Sequence, residues 1–289
     1  MENTCFGTVN HEAPFELTEE ESEVVRSLLN SFMNATKLRK HLDFLVSKGS
    51  MYKVYNGNLL FHGCIPVAKD GTFQAFEYEG ESYSGRRLLD FCEQKLKKAY
   101  RKVHKGESVE ADMIWYLWQG SLSPLFGKHC MTTFARYFID KDEPKVEHKN
   151  AYFELRKEEW FCKQLLEEFR LNQENGHVIN GHTPVKKEQE PILANKKMIV
   201  VDGGYSKAYQ PITGIGGYTL LYNSYGLQLV THHPFTSKND AVKNGRDIIS
   251  TRKIVNQELE RQTVADTDIG KEIKKSLEML REILSNYDN

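Results

Sequence analysis

The chain has 289 residues, of which 39% are hydrophobic and 27% are charged, as in an ordinary globular protein with a sizeable core. Its 39 basic and 40 acidic residues give a net charge of −1, which argues against nucleic acid or an anionic membrane surface as a partner. No apolar run approaches the roughly 20 residues that cross a bilayer, and the first residues, MENTCFGTVNHEAPFELTEEE, lack a signal-peptide pattern. We therefore expect a cytoplasmic protein without a membrane or nucleic-acid partner.

The cysteines show no sign of a disulfide framework or of a zinc-thiolate site. They lie far apart, and none belongs to a CxxC pair. We expect reduced thiols at all five positions, Cys5, Cys64, Cys92, Cys130 and Cys162.

The first 50 residues carry the signals of a helical hairpin. Thr18 and Glu21 have the spacing of a capping box, and apolar residues follow at helical intervals, so a helix is predicted from about 18 to 33. A second apolar stripe predicts a helix that ends near Lys48, because Gly49 is a usual residue just past a helix end. Residues 1–50 are therefore interpreted as a helical hairpin, and residues 51–289 as a second domain.

The second domain mixes strands and helices. Asn56-Gly57 stands between two short apolar runs and predicts a two-residue hairpin turn, with a strand at about 58–61 after it. From His177 onward the sequence pattern predicts strands and hairpins. Helical spacing recurs in three further stretches, at about 85–103, at 152–172 and over the last 25 residues. The mixture predicts an α/β or α+β layer architecture.

Three other segments have a local interpretation. The aromatic run 112–118 fits either a helix or a buried strand, and its tryptophans are expected in the core. The stretch at about 140–150 is expected to be an exposed loop or linker. The amphipathic final helix is expected to dock on its own domain.

Two histidines stand at predicted strand-to-loop corners. In LLFHGCIP, His62 follows an apolar strand and precedes Gly63, and in NGHTPVK, His182 follows a short strand and Gly181, with Lys186 nearby. A folded sheet can bring two such corners to one cation. The alternative that both corners are ordinary turns without a metal stays open, since a single histidine at a strand end is rarely a metal ligand and turns often contain Gly, Asn and Pro.

A third segment, VDGGYSKAYQPITGIGGYTL, is rich in glycine and hydroxyl groups around Asp202 and Lys207. It matches neither a P-loop nor a dinucleotide fingerprint. A pair of tight turns between strands is an equally good interpretation. His232 and His233 are adjacent, so at most one of them can face a shared site, because neighbouring strand residues point to opposite faces.

Five blocks in one order resemble a known family. HGCIP and GHTPVK resemble the HGG and GH motifs of calcineurin-like phosphoesterases. Over about residues 15–285, the chain is similar to the class 3 fructose-1,6-bisphosphatases of bacteria in YLWQGSLSPLFGKHCMTTFARYF, NGHTPVK, VDGGYSKAY, TGIGGYTLLYNS and HHPF. The resemblance implies that residues 51–289 are the C-terminal part of such a phosphatase domain, a partial calcineurin-like metallophosphoesterase sandwich with added helices.

The resemblance also implies an activity. Members of the family remove the 1-phosphate of fructose 1,6-bisphosphate in gluconeogenesis with divalent metal, typically Mn²⁺. On the matching motif positions, His62 and His182 would be ligands of one metal. We add Arg136, Lys186 and Lys207 as phosphate contacts, on charge and location alone.

The chain departs from the family pattern in its upstream motifs. The DxH, GDxxD and GNH[ED] motifs that complete a two-metal site are absent, and only about 60 residues precede His62. We therefore expect a fragment, which comes from a truncated or split reading frame or from an internal start within a longer enzyme. A complementing N-terminal chain, if one exists, would assemble with it and supply the missing ligands. One alternative is a non-catalytic phosphosugar-binding or interaction module derived from the family, and another is a hydrolase of phosphoproteins or dinucleoside polyphosphates that shares only the HGG and GH motifs.

Overall fold

The computed structural model describes residues 6–102, 109–141, 145–234, 237–244 and 250–287. It divides into two compact units. The helical unit comprises residues 1–51 and 88–150, and the sheet unit comprises residues 52–87 and 151–289. The boundary predicted after residue 50 stays a prediction about domains, and Cys5 lies outside the described residues.

The helical unit begins with the two predicted helices, α1 (Glu19–Met33) and α2 (Thr36–Lys48). The capping box of α1 is confirmed, because the Thr18 hydroxyl accepts from the Glu21 N–H and the Glu21 carboxylate accepts from the Thr18 N–H. Helix α2 ends at Lys48, as predicted, although Gly49 has an extended backbone with φ of −75°. A side chain at Gly49 would meet the Leu45 carbonyl oxygen at 2.4 Å, so close approach of the backbone, and not a left-handed turn, favours glycine there.

Three more helices belong wholly or mostly to this unit: α3 (Gly85–Lys102), α4 (Val109–Gln119) and α5 (Thr133–Phe138). The aromatic run 112–118 is helical, which resolves the helix-or-strand ambiguity. Its predicted place in the core is wrong for the tryptophans. Met113 and Leu117 are the buried residues, whereas Trp115 and Trp118 are 60% and 51% exposed and their rings lie 5.0 Å apart.

Glu147 anchors the segment that was predicted to be an exposed loop. Its carboxylate accepts from the Lys128 ammonium at 2.6 Å and from the backbone N–H and hydroxyl of Thr132 at 3.1 Å. Burial alone would raise the pKa of Glu147, but these hydrogen bonds outweigh it and lower the pKa to about 2. At least this part of the 140–150 stretch is therefore fixed and not a free linker.

The sheet unit is built on a five-stranded mixed sheet with the order β1-β2-β5-β7-β6. Its strands are β1 (Tyr52–Tyr55), β2 (Asn58–Phe61), β5 (Val178–Asn180), β6 (Ile192–Leu193) and β7 (Met198–Val200). Strands β2, β5 and β7 are parallel, and the outer strands pair antiparallel with their neighbours. The central parallel strands are mostly buried, as parallel strands usually are.

The predicted Asn56-Gly57 turn joins β1 to β2. Both residues have positive φ, 48° and 75°, which is the conformation that a two-residue hairpin turn requires. The same turn holds the start of the last helix, α10 (Asp268–Tyr287). The Asn56 N–H donates to the Asp268 carboxylate, and the Asp268 N–H donates to the Asn56 side-chain oxygen.

Helices α6 (Tyr152–Leu155) and α7 (Glu159–Glu168) occupy the predicted helical stretch 152–172. Tyr152 is buried, and its ring lies 5.8 Å from Phe61 of β2 and 6.0 Å from Phe161 of α7. This aromatic cluster packs the two helices against the centre of the sheet. Burying rings of this size contributes a large apolar area to the core.

Two smaller antiparallel sheets complete the unit. One is the hairpin of β3 (Phe76–Tyr78) and β4 (Glu81–Tyr83), and the other contains β8 (Gly217–Asn223), β9 (Gly226–His232) and β10 (Ser250–Gln257). The predicted hairpin YTLLYNSYGLQLV is confirmed as β8 and β9. Short helices α8 (Gln210–Thr213) and α9 (Lys238–Asn244) lie in the connections.

The predicted mixed α/β class is confirmed. The docking predicted for the final helix is wrong along most of α10, where Ile273, Leu277 and Leu284 are 49%, 48% and 66% exposed. Among the described residues, no helix combines the length and the apolar character needed to cross a membrane. The cysteines that the structure describes are free thiols.

Glu147 makes the helical unit sensitive to acid. Because its pKa is about 2 in the fold against an ordinary 4.5, the stabilisation is complete above pH 4.5 and is lost as the pH falls toward 2. We expect Glu147→Gln to lower the free energy of unfolding at pH 7 by about 2 to 3 kcal/mol, and the deficit to vanish near pH 2. Urea unfolding at several pH values measures this difference.

The matched control is Glu154→Gln, whose carboxylate is 79% exposed in its ion pair with Lys157. We expect a change within about 0.5 kcal/mol at every pH. A deficit for Glu147→Gln that did not depend on pH would contradict the electrostatic origin.

Candidate functional site

The parallel pairing of β2 with β5 brings the two predicted histidine corners together. Phe61 is the register partner of Asn180, so His62 and Gly181 both follow directly at the same edge of the sheet. The Gly181 N–H donates to the His62 carbonyl oxygen at 3.1 Å, which continues the pairing one residue beyond the strands. His182 then lies beside His62.

The two imidazoles contact each other. His182 Nδ1 lies 3.0 Å from His62 Nε2, and the ring centroids are 4.9 Å apart with the planes at 79°. His62 is exposed and His182 is half-buried. The Phe153 ring, with its centroid 6.5 Å from that of His182, forms an apolar wall on one side.

His182 holds a backbone conformation that suits glycine better than histidine. Its φ is +66°, in the left-handed region that costs a residue with a side chain about 1 kcal/mol or more. Such strain persists where the surrounding structure imposes it and is common at functional sites. The turn of the backbone here is what directs the imidazole toward His62.

The donor set fits two ligands of one cation. Two nitrogens at about 2.1 Å from a metal and at right angles around it lie about 3.0 Å apart, which is the separation of His182 Nδ1 and His62 Nε2. Among the described residues, no group of three or more His, Cys, Asp or Glu side chains could hold a metal ion. Within the described residues, the two histidines are therefore a pair without a third His, Cys, Asp or Glu beside them.

The Asp202 segment lies next to the corner that carries His182. The Val185 N–H donates to the Asp202 carbonyl oxygen at 2.9 Å, and the Asp202 carboxylate accepts from the Gly204 N–H at 3.0 Å. A side chain at Gly203 would meet the backbone of Gly217 at 2.6 Å. The glycine-rich motif is therefore a set of tight, closely packed turns, in agreement with the structural interpretation of its sequence.

The three residues predicted to contact phosphate lie in different surroundings. Arg136, in the helical unit, is exposed and its guanidinium lies 3.6 Å from the Glu147 carboxylate. Lys186 and Lys207, in the sheet unit, are both exposed. Their roles stay predictions. His232, which the sequence allowed as a ligand, has its Nε2 2.7 Å from the Thr219 hydroxyl in the three-stranded sheet.

Sequence reasoning missed Asn180 and Phe153, which contact the His62 corner and the His182 ring, and Arg156, which contacts Asn180 and Phe153. The Asn180 side chain is 2% exposed and bonded to the backbone of the His62 corner. For Asn180 the sequence carries a signal, because this polar residue ends the strand in NGHTPVK and is buried. Nothing local in the sequence links residues 153 and 156 to residue 182.

A buried histidine lies at the other end of the same strands. The His177 Nδ1 is 3.1 Å from the Asn58 side-chain oxygen, and burial, aided by the Lys197 charge, lowers the pKa of His177 to about 4. It lines a polar cleft of about 250 Å³ with Asn175 and Asn256. The buried imidazole is therefore neutral at pH 7, and its contact with Asn58 ties the start of β2 to the residue that precedes β5.

Comparison with known proteins assigns the chain to a family. A family model described as Firmicute fructose-1,6-bisphosphatase matches residues 1–289, and the chain belongs to that family. It is 54% identical, over its whole length, to a protein of Ligilactobacillus salivarius named fructose-1,6-bisphosphatase class 3. Proteins of the same name from Latilactobacillus sakei and Listeria innocua are 53% and 52% identical over 99% of the chain. No solved structure matches the chain.

The chain spans less than half the length of these relatives. It covers 45% of the Ligilactobacillus protein, 44% of the Latilactobacillus protein and 45% of the Listeria protein. The family resemblance predicted from the five sequence blocks is confirmed. The partial coverage agrees with the prediction that the likeness is to one part of the enzyme.

The strained backbone of His182 gives a stability test. At an ordinary position alanine is more stabilising than glycine, but at φ of +66° the order reverses. We expect His182→Gly to unfold with a free energy about 1 kcal/mol higher than that of His182→Ala, as measured by urea denaturation.

Gly181→Ala is the matched control one residue earlier. A side chain there would meet the His62 carbonyl oxygen at 3.6 Å, an ordinary contact, and Gly181 has no positive φ. We expect this variant to be as stable as the parent chain or slightly more stable. Equal stabilities of His182→Gly and His182→Ala would mean that the backbone of His182 is not left-handed.

Proposed function

We propose that this chain contributes the C-terminal part of a class 3 fructose-1,6-bisphosphatase, a phosphoric monoester hydrolase. The reaction is hydrolysis of fructose 1,6-bisphosphate to fructose 6-phosphate and phosphate, a step of gluconeogenesis in the cytoplasm. The observation that carries the proposal is the imidazole pair, with 3.0 Å between His182 Nδ1 and His62 Nε2, on a chain that matches the family from end to end.

His62 and His182 would hold one divalent cation, with Mn²⁺ as the ion we favour. When bound in a complete site, such cations polarise phosphoryl oxygens and supply hydroxide from bound water at neutral pH. Neither imidazole can bind a metal through a protonated nitrogen, so the nitrogen that carries the proton in the contact between the two rings has to release it on binding. His62 lies exposed at the sheet edge and is the ligand more accessible to a substrate.

The remaining ligands would come from outside the described residues. Mn²⁺ favours oxygen-rich coordination with more than two ligands, and the described residues supply no third ligand. We propose a complementing N-terminal chain as the source. Arg136, Lys186 and Lys207 remain our proposed contacts for the phosphate groups, because guanidinium and ammonium groups suit phosphate oxygens.

Exposed apolar residues support the need for a partner. In α1, Val24, Leu28 and Phe32 recur at helical spacing and are 58%, 55% and 65% exposed. Contiguous apolar surface of this kind marks interaction sites in soluble proteins. A second chain that completes the enzyme would have such surfaces available to it.

The test is phosphate release from fructose 1,6-bisphosphate with Mn²⁺. The chain is assayed alone and after mixing with the remaining part of the Ligilactobacillus relative. We expect turnover only in the mixture. In the mixture, His62→Gln and His182→Gln should each lower kcat by more than about 100-fold, since loss of even a group that supports a metal ligand costs 10- to 100-fold.

His11→Gln is the control, because it also removes an exposed imidazole but lies outside the pair and outside the five family blocks. Its mixture should keep the parent activity. Full activity of the chain alone would contradict the incomplete site. Binding of the sugar bisphosphate without turnover in any mixture would favour the non-catalytic binding module, and turnover of a phosphoprotein or dinucleoside polyphosphate in place of the sugar would favour the other hydrolase class.

A further inference from the structure

The corner that carries His62 is held by one buried amide. Asn180 ends β5 and is 2% exposed. Its Nδ2 donates to the carbonyl oxygens of both His62, at 3.0 Å, and Gly63, at 2.7 Å. Both hydrogens of the amide are therefore used on two successive carbonyls of the neighbouring corner.

Arg156 fixes the orientation of that amide. Its Nη1 donates to the Asn180 Oδ1 at 2.8 Å. A guanidinium has donors and no acceptor, so the oxygen of Asn180 has to face Arg156 and the nitrogen has to face the His62 corner. An amide that could flip would present its oxygen to two carbonyl oxygens and release them.

Burying the Arg156 guanidinium costs folding free energy that a purely structural role does not require. Burial lowers the pKa of its guanidinium, and among the described residues its buried Nε has no hydrogen-bond partner. An apolar side chain in such a place is often as stable as a buried charge. The guanidinium also lies over the Phe153 ring at 5.2 Å, and that ring is the wall beside His182.

The contacts connect Arg156 to both imidazoles by separate routes. One route runs through Asn180 to the backbone of His62, and the other runs through the Phe153 ring to His182. The Asn180 backbone adds a third restraint, because its carbonyl accepts from the Val201 N–H at 2.8 Å and keeps β5 in place. Loss of Arg156 would loosen both rings.

We propose that Arg156 and Asn180 are positioning residues, which hold the His62 and His182 imidazoles at the separation that one cation requires. They act through the two histidines and touch neither metal nor substrate. The purpose of the arrangement rests on the proposed function, but the arrangement itself is tested without any sugar phosphate. If the enzyme assay fails, the proposal about Arg156 and Asn180 is not affected. If the positioning test fails, the proposed function is not affected.

Two substitutions remove the restraint in different ways. Asn180→Asp keeps an oxygen for Arg156 but places a second oxygen against the carbonyls of His62 and Gly63. Arg156→Met keeps an apolar stem over Phe153 and removes the donor. The matched controls are Asn175→Asp, an exposed asparagine in the same unit, and Lys157→Met, whose ammonium pairs only with the exposed Glu154 among the described residues.

The first readout is the NMR cross-peak between ring protons of His62 and His182 in the metal-free chain. We expect the peak in the parent chain and in both controls, and its loss in Asn180→Asp and Arg156→Met. Methyl resonances of the sheet core report that the variants remain folded. If Asn180→Asp does not fold, Arg156→Met decides the outcome.

The second readout is the affinity for Ni²⁺ alone, measured by calorimetry, because imidazole suits this ion. The Ni²⁺ binding that we assign to the histidine pair is the part of the calorimetric signal that is lost in His62→Gln. We expect both variants to weaken it about 10-fold or more, as is usual when a residue that orients a ligand is lost. The charge added by Asn180→Asp would by itself strengthen cation binding, so weaker binding cannot come from electrostatics.

The proposal is overturned if both variants fold and keep the ring cross-peak and the Ni²⁺ affinity of the parent chain. It is also overturned if the controls lose affinity as much as the variants do, since the effect would then be a general loss of stability. Arg156→Lys tests whether a weaker donor restores part of the restraint on Asn180. A single ammonium donor can restore part of the bond to Asn180, so partial recovery of the cross-peak is expected.

Discussion

The structure around the candidate site depends on the parallel pairing of β2 and β5. Parallel strands end at the same edge of a sheet, and the register of Phe61 with Asn180 places the next residues of both strands side by side. Hydrogen bonds from Gly181 and Asn180 carry that pairing past the strand ends. Without it, His62 and His182, 120 residues apart in sequence, would have no reason to meet.

The site concentrates features that cost stability. His182 is left-handed, Arg156 is largely buried with an Nε that has no hydrogen-bond partner among the described residues, and the exposed imidazole of His62 directly follows strand β2. The core beneath, built on Tyr152 and the central strands, consists of close-packed apolar side chains. A rigid apolar base under a strained polar edge is the arrangement expected where side chains are held for binding and not for folding.

Local signals in the sequence predict much of the fold and half of the site. The capping box at Thr18, the Asn56-Gly57 turn and the strand ends at His62 and His182 depend on neighbouring residues, and the structure has all of them. The contacts of Arg156 and Asn180 are long-range, so no local pattern reveals them. The exposed tryptophans of α4 and the exposed face of α10 were misjudged because amphipathic spacing shows that a helix has an apolar side and not what covers it.

The most direct test of the account is anomalous X-ray scattering at the manganese edge from crystals of this chain grown with saturating Mn²⁺. We expect a peak within coordination distance of both His62 Nε2 and His182 Nδ1, and its absence in crystals of His62→Gln. Manganese bound only at other side chains, with the two rings turned away from each other, would contradict the claim that the strand ends form half of a metal site.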